Sequence, residues 1–310
     1  MKVDVIIPCF NVERYIEECL DSVKLQGKSV RKVFCVDNNS TDETVSTIQK
    51  WTLQNPELEL ELLHEQKPGA CSARNKPLSL VETEWIQFLD ADDLLLEGKI
   101  EFQLIQTEDC DVIYDSSLKK STGGEIRNII PENNIELGLM NGNLGNTCAN
   151  LWRKSTLEVV DGWNEELSSS QEYDLLIRIY KTGGRFKRLN SLKTLIQTRE
   201  CGQISQGNKK LLWENNINVR FDLIDSVLNL KMDNRIKAEF YHIYFEKLRM
   251  LHKYDSLTAI NNYDKTFRSI NYKPRVCSLN TRLYVIFFSI FGFRLTEKIR
   301  LLFRFGNKRS

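Results

Sequence analysis

The eight cysteines of this 310-residue chain form no C-x-x-C pair. They are scattered at 9, 19, 35, 71, 110, 148, 201 and 277, several within apolar strand or helix patterns, which reads as buried reduced thiols rather than disulfides or zinc ligands. No apolar run approaches the roughly twenty residues that span a bilayer. The opening MKVDVIIPCF lacks the apolar core and small-residue cleavage site of a secretory leader. A cytoplasmic location is the expectation. Internal repeats and low-complexity segments are also missing, which sets aside solenoids and disordered tails.

What is present is ordinary in bulk and uneven in detail. Hydrophobic residues make up 41% and charged residues 27%, enough for one large domain and an appendage. The net charge of +1 hides an asymmetry: residues 271–310 hold nine Lys or Arg against Glu297 alone, so that tail is +8 and the remainder −7. An acidic body argues against nucleic acid as a partner, whereas the tail suits an anionic one.

The first 115 residues alternate strand and helix. VDVIIP (3–8), KVFCVD (32–37), LELELLH (58–64), WIQFL (85–89) and 111–115 read as strands. Helices are expected through Ile16, Leu20 and Val23 with Asn11 as cap, up to about Gln54 with Ser40 or Thr41 as cap, and over about 73–81 and 97–107. Such alternation predicts an α/β fold, a mainly parallel sheet flanked by helices, with ligands bound at the carboxyl ends of the strands. From about 206 onward the period turns helical, so the expected domains are 1–205 and a helical region 206–310.

Polar residues gather at those strand ends. In Asp90-Ala91-Asp92-Asp93, carboxylates one residue apart suit a hard divalent cation, although Asp92 or Asp93 would serve as well to cap a helix. Asp37 in VDNNSTDET can accept from a base or a sugar hydroxyl, and the same segment reads as a plain turn. KPGACSARNK puts small residues and Arg74 at a helix start, where phosphate is favoured, but it is too poor in glycine for a P-loop. Glu172, in the first turn of the helix in QEYDLLIR, is either a dipole-favoured acid or a general base.

In order and spacing, DVIIPCFN, VDNNSTDET, KPGACSARN, WIQFLDADD and QEYDLLIR resemble family 2 glycosyltransferases of the GT-A fold over roughly the first 205 residues. The resemblance implies an inverting, metal-dependent enzyme. It would transfer a sugar from a nucleoside-diphosphate sugar, a UDP-sugar being favoured, to a glycan or lipid-linked glycan hydroxyl in bacterial polysaccharide assembly. It also implies roles. Pro8, Phe10, Asn11, Asp37 and Asn39 would meet the nucleoside, and Arg74, Asn75, Asp90 and Ala91 would line the donor. Asp92 would hold Mg²⁺ or Mn²⁺, Arg199 would touch the diphosphate, and Glu172 would be the catalytic base.

The chain departs from the family pattern at four places. Asn38 stands where a second Asp is common, Gln171-Glu172 replaces Glu-Asp, Cys201 occupies a position often held by His, and Pro77 replaces a glycine. The Arg-Trp dipeptide and membrane spans of processive members are missing, so one sugar per encounter is expected. Trp152 and Trp163 are candidates to stack on a sugar, with core packing favoured for Trp152.

The tail, residues 283–309, is apolar and then basic and amphipathic. It would either lie on an anionic membrane surface, making the protein peripheral to the inner face, or pack on the body. The rival to catalysis is a GT-A-like protein that binds a nucleotide or sugar without transferring it.

Overall fold

The computed structural model describes residues 1–199, 207–228, 233–270, 272–277 and 280–303. Contacts divide the chain into two compact units, Met1–Gln203 and Ile204–Ser310.

In the first unit, β1 (Val3–Cys9), α1 (Ile16–Lys24), β2 (Val30–Asp37), α2 (Thr44–Gln54), β3 (Leu60–His64), α3 (Ala70–Asn75) and β4 (Trp85–Phe88) follow in alternation. Next come β5 (Leu94–Leu95), α4 (Lys99–Leu104), β6 (Val112–Tyr114), β7 (Ser117–Lys120), β8 (Ile126–Ile129) and α5 (Ile135–Asn141). The unit closes with β9 (Leu151–Arg153), α6 (Lys154–Val159), α7 (Gln171–Lys181), β10 (Phe186–Arg188) and β11 (Thr194–Gln197).

A seven-stranded sheet runs β10-β6-β9-β4-β1-β2-β3. β1 is buried almost throughout and pairs in parallel with β2 and β4, and β2 does so with β3. The register sets Cys9 beside Asp37 and Asp37 beside His64, with Phe88 beside Ile6, so the segments leaving β1, β2, β3 and β4 share one rim. At the opposite end, buried Asp4 is fully bonded: Arg31 donates from Nε (2.8 Å) and Nη2 (2.6 Å), and the Glu82 amide donates at 2.9 Å. A carboxylate with that many donors is structural.

β9 is inserted antiparallel between β4 and β6. Its direction carries the residues before it, 147–150, to the same rim as the end of β4. A second, four-stranded sheet, β5-β11-β7-β8, brings the end of β11 against the chain that leaves β4. Its strands span two to four residues, too short for an alternating pattern, and the sequence predicts none of them.

The expected caps differ. Helix α1 begins at Ile16 after Tyr15, and Asn11, in the left-handed region at φ 50°, instead accepts from the Thr41 amide at 2.8 Å. Ser40 Oγ accepts from the Asn11 amide rather than capping α2, which starts at Thr44. These side chains fasten two loops together. The helix expected over 73–81 is α3 plus a 3-10 turn at Leu78–Leu80, because Pro77 cannot continue the ladder. Neither Asp92 nor Asp93 caps α4, which starts after Gly98.

The second unit is helical: α8 (Lys209–Leu228), α9 (Asn234–His252), α10 (Ser256–Phe267) and α11 (Arg282–Phe303). Phe245 of α9 meets the rings of Tyr263, Phe267, Tyr284, Phe288 and Phe293. Tyr263 and Phe293 stack at 4.3 Å. Arg249 of α9 donates to fully buried Glu297 of α11 at 2.8 Å. One face of the tail helix is therefore packed and ion-paired, while Ile286, Ile290, Phe291, Leu295, Leu302 and Phe303 stay exposed. Gly292 bends the helix at φ 67°, a conformation open to glycine. Among the described residues no helix is long and apolar enough to cross a membrane. Residues 304–309 of the expected membrane segment, and Cys201, lie outside the described residues.

Candidate active site

The rim of the sheet gathers most of the predicted residues. Asp37 ends β2, accepts from the Ser40 amide at 3.3 Å and lies 3.4 Å from His64 Nδ1. Asn38, buried, donates to the carbonyls of Glu65 and Lys67, both at 2.8 Å, and accepts from the Gly69 amide at 2.7 Å. Only an amide can donate and accept there, which explains Asn where an Asp is common. Asn39, at φ 67°, donates to the Gln66 carbonyl at 3.2 Å. Phe10 is exposed next to Pro8-Cys9, presenting an aromatic face beside the Asp37 loop.

The chain leaving β4 turns tightly, with the Asp93 amide donating to the Asp90 carbonyl at 2.9 Å. The three carboxylates then part company. Asp93 is buried; it accepts from the Gln197 amide at 2.9 Å and from the Cys148 thiol at 3.2 Å. Burial, followed by the charges of Asp90 and Asp92, raises its carboxyl well above the usual range. It is scaffold. Burial and then Asp90 also raise Asp92, while Arg199, its Nε 2.5 Å from Asp92 Oδ2, opposes the shift. Asp90 stays open to solvent on one side and accepts from Arg74 Nη2 at 2.6 Å. Ala91 is buried between them.

Arg74 is itself buried. Its guanidinium lies 4.6 Å from the Trp163 ring centre, and Nη1 donates to Gln171 Oε1 at 3.3 Å. Trp163 in turn packs against Phe88 and Trp152. Both tryptophans are buried in the core, as favoured for Trp152. Asn75 is placed differently from its neighbour. Its amide exchanges bonds with Trp163 N and O and with Glu165, all within 2.9 Å. It lines a cleft of about 760 Å³ with Lys154, Glu158 and Arg178, which none of the four site carboxylates borders.

Glu172 enters from α7. Ser170 adopts the left-handed region at φ 58°, turning the chain so that Gln171 and Glu172 face inward. The Glu172 carboxylate rests on the backbone and hydroxyl of Thr147 and lies 3.5 Å from Asn150 Nδ2. Asn150 fits only because residue 145 is glycine: a Cβ there would stand 2.1 Å from Asn150 Oδ1. Burial first, then the charge of Asp90, pushes Glu172 up to about 8; Arg74 and Thr147 pull it down. A carboxyl so raised, buried near a carboxylate and an arginine, has the value that proton transfer near neutral pH requires.

Sequence reasoning missed Thr147, Cys148 and Asn150. They reach the site through the antiparallel insertion of β9, and no motif or periodicity marks them.

A mostly parallel sheet flanked by helices, with Asp37, Asp90, Asp92 and Glu172 gathered toward one rim, is a GT-A type of fold. More particularly, residues 4–149 match the family model for glycosyl transferase family 2. Glycosyltransferase GlyG of Streptococcus pneumoniae serotype 4 is 30% identical over 123 residues, 37% of this chain and 40% of that protein. The poly(ribitol-phosphate) β-N-acetylglucosaminyltransferase TarS of Staphylococcus aureus is 26% identical over 210 residues, 66% of this chain and 36% of that protein. The matched stretch thus spans well under half of these relatives.

Among solved structures, S. aureus TarS 1–349 in complex with UDP-GlcNAc aligns with TM-score 0.69 at 20% identity, covering 100% of this chain and 93% of that one. The mannosyltransferase PcManGT of Pyrobaculum calidifontis, in complex with GDP-Man and Mn²⁺, aligns at 0.60 with 16% identity, covering 98% and 88%. At such identities these likenesses establish the fold.

Proposed function

We propose that the protein is an inverting glycosyltransferase. It moves one sugar per encounter from a nucleoside-diphosphate sugar, UDP-linked in the favoured case, to a hydroxyl of a glycan or lipid-linked glycan in bacterial polysaccharide biosynthesis. The observation that carries the reading is Glu172, held on Thr147 and raised to about 8 across from Asp90 and Arg74. The UDP-GlcNAc bound by TarS and the GDP-Man bound by PcManGT support a nucleotide-sugar donor.

A divalent cation fits the donor set. Asp90 and Asp92 offer oxygen alone, and Asp90's charge adds to burial in raising Asp92, a crowding that a hard cation relieves. Asp92 would hold Mg²⁺ or Mn²⁺, with Asp90 close by; the Mn²⁺ with PcManGT supports a divalent ion. Bound there, the ion supplies positive charge toward the leaving nucleoside diphosphate.

The chain's own groups do the rest. Asp37 accepts from the base or ribose, Phe10 gives the nucleoside an aromatic face, and Asn11 and Asn39 hold the loops on either side. Arg74 fixes Asp90, and Asn75 acts at one remove by pinning the 163–165 segment beside Arg74. Ionised Glu172 takes the acceptor hydroxyl's proton as its oxygen attacks the anomeric carbon opposite the departing diphosphate. Arg199, beside Asp92, would meet that diphosphate.

The exposed apolar face of α11, with Arg294 and Lys298 beside it, is proposed to rest on an anionic membrane surface where a lipid-linked acceptor is presented. Glu172→Gln tests the catalytic reading: donor binding retained with turnover lost supports it, and turnover retained contradicts it. Loss of neither binding nor cellular role would favour the non-catalytic binding protein.

A further inference from the structure

His242 and Glu246 stand four residues apart on α9 and so share one face of that helix. The chain returns to this face after α10 and sets Cys277 against it. A ring nitrogen of His242, a carboxylate oxygen of Glu246 and the Cys277 sulfur lie within 4.8 Å of one another, all partly buried. The lack of C-x-x-C spacing gives no hint of this grouping, because the companions of Cys277 come from a helix thirty or so residues earlier.

Two further observations point to a ligand. His242 Nδ1 is buried and makes no hydrogen bond, and the same holds for the Tyr272 hydroxyl. Burial raises that hydroxyl, and the charges of Glu246 and Cys277 add to the effect, so Tyr272 borders the same cluster. The ligating groups are also held in advance. Asn280, fully buried, donates to Glu246 Oε1 at 2.5 Å and exchanges backbone bonds with Cys277 at 3.0 and 3.2 Å. Arg249 Nη1 donates to Glu246 Oε2 at 3.1 Å. Outer hydrogen bonds of this kind orient metal ligands.

We infer that His242, Glu246 and Cys277 form a zinc site that fastens the 272–277 segment to α9. A nitrogen, an oxygen and a sulfur donor make a borderline-soft set that takes Zn²⁺ in preference to Mg²⁺ or Mn²⁺, with a fourth tetrahedral position left for an oxygen ligand. Arg249 and Arg300 already draw on Glu246 and Glu297, so the Cys277 thiolate supplies much of the charge that meets the ion. On binding, the Cys277 S–H bond breaks, the sulfur's electron pair forms the Zn–S bond and the proton goes to solvent. No redox change occurs.

The test uses the full chain, stripped with a chelator and titrated with Co²⁺ alone and then with Zn²⁺ alone. Expected are saturation at one equivalent of Co²⁺, a near-ultraviolet thiolate-to-cobalt band with the visible bands of tetrahedral geometry, and displacement by Zn²⁺ with a higher thermal midpoint. Cys277→Ser should abolish the thiolate band and His242→Ala should weaken binding at least tenfold, whereas Asp92→Asn should change neither. Should Cys277→Ser fail to fold, Glu246→Gln takes its place, with weaker cobalt binding expected. Absence of a thiolate band in the unaltered chain, its persistence in Cys277→Ser, or its loss in Asp92→Asn would overturn the inference.

Discussion

Arg199 Nε lies 2.5 Å from Asp92 Oδ2. The group proposed to meet the diphosphate is thus held by the group proposed to hold the cation. An arginine and a divalent ion compete for one carboxylate, so each must displace the other. Arg199→Gln should therefore tighten Mn²⁺ binding in the absence of nucleotide, by a few-fold, and weaken nucleoside-diphosphate binding in the presence of Mn²⁺. Two calorimetric titrations read the two effects, and a change of the same sign in both would refute the competition.

Glu172 makes a prediction about stability as well as rate. Its ordinary value is 4.5 and the fold raises it to about 8. Between those values the unfolded chain ionises freely while the folded chain holds the proton. The group therefore works increasingly against folding as pH rises from about 4.5 to 8, by at most about 1.4 kcal/mol for each pH unit crossed. Glu172→Gln removes that opposition. The variant should melt higher than the parent at pH 8 by more than it does at pH 5, while turnover falls about 10²–10⁴-fold. Equal melting shifts at both pH values would argue that the carboxyl is not raised.

The same carboxyl sets the pH profile. As a base it must be ionised, so kcat/KM, which reports the free enzyme, should climb with pH, reach half its maximum near 8 and level off above that. A cation beside Asp90 attracts the ionised form, and the corresponding limb in kcat should lie at lower pH. A flat profile between pH 6 and 9 would exclude Glu172 as the base.

Asn38→Asp restores the residue common in the family and should nonetheless do harm. It replaces two donated bonds to the Glu65 and Lys67 carbonyls with a charge facing them, a loss of about 1–3 kcal/mol for buried groups left without partners. Denaturant unfolding should register the loss, together with a raised KM for donor. An unaffected midpoint would mean that the 65–69 loop is not held by this side chain.

For the tail, truncation is a poor probe, because Glu297 and Phe293 belong to the core of the second unit. Ile286→Asp with Ile290→Asp alters the exposed face alone. Cosedimentation with anionic vesicles should fall in that variant while its unfolding midpoint stays put. Unchanged sedimentation would remove the membrane from the account.

The strands β1, β2 and β4 were legible as bounded apolar runs and β3 by its alternation, and the site's outline was legible because Asp37, Arg74, Asp90 and Glu172 sit where such strands and helices end. What escaped reading was set by tertiary geometry. Thr147 and Asn150 act on Glu172 only because β9 runs antiparallel, a direction no local pattern encodes. Asn11 and Ser40 have the composition of caps but bridge loops, a choice decided by the proximity of β1 and β2. Asp93 looked equivalent to Asp92 and Asp90 and became scaffold, because Cys148 arrives from the turn before β9 and Gln197 from β11. The short strands of the second sheet are held by pairing with their neighbours more than by their own residues.

The most direct test of the account is calorimetric titration of the full chain with UDP, GDP and dTDP, each with Mn²⁺ and with EDTA, repeated on Asp92→Asn. Binding of one nucleotide that depends on Mn²⁺ and is lost in the variant is the predicted result, and it names the donor class. Failure of all three to bind with Mn²⁺ present would contradict the donor site on which the proposed transfer rests.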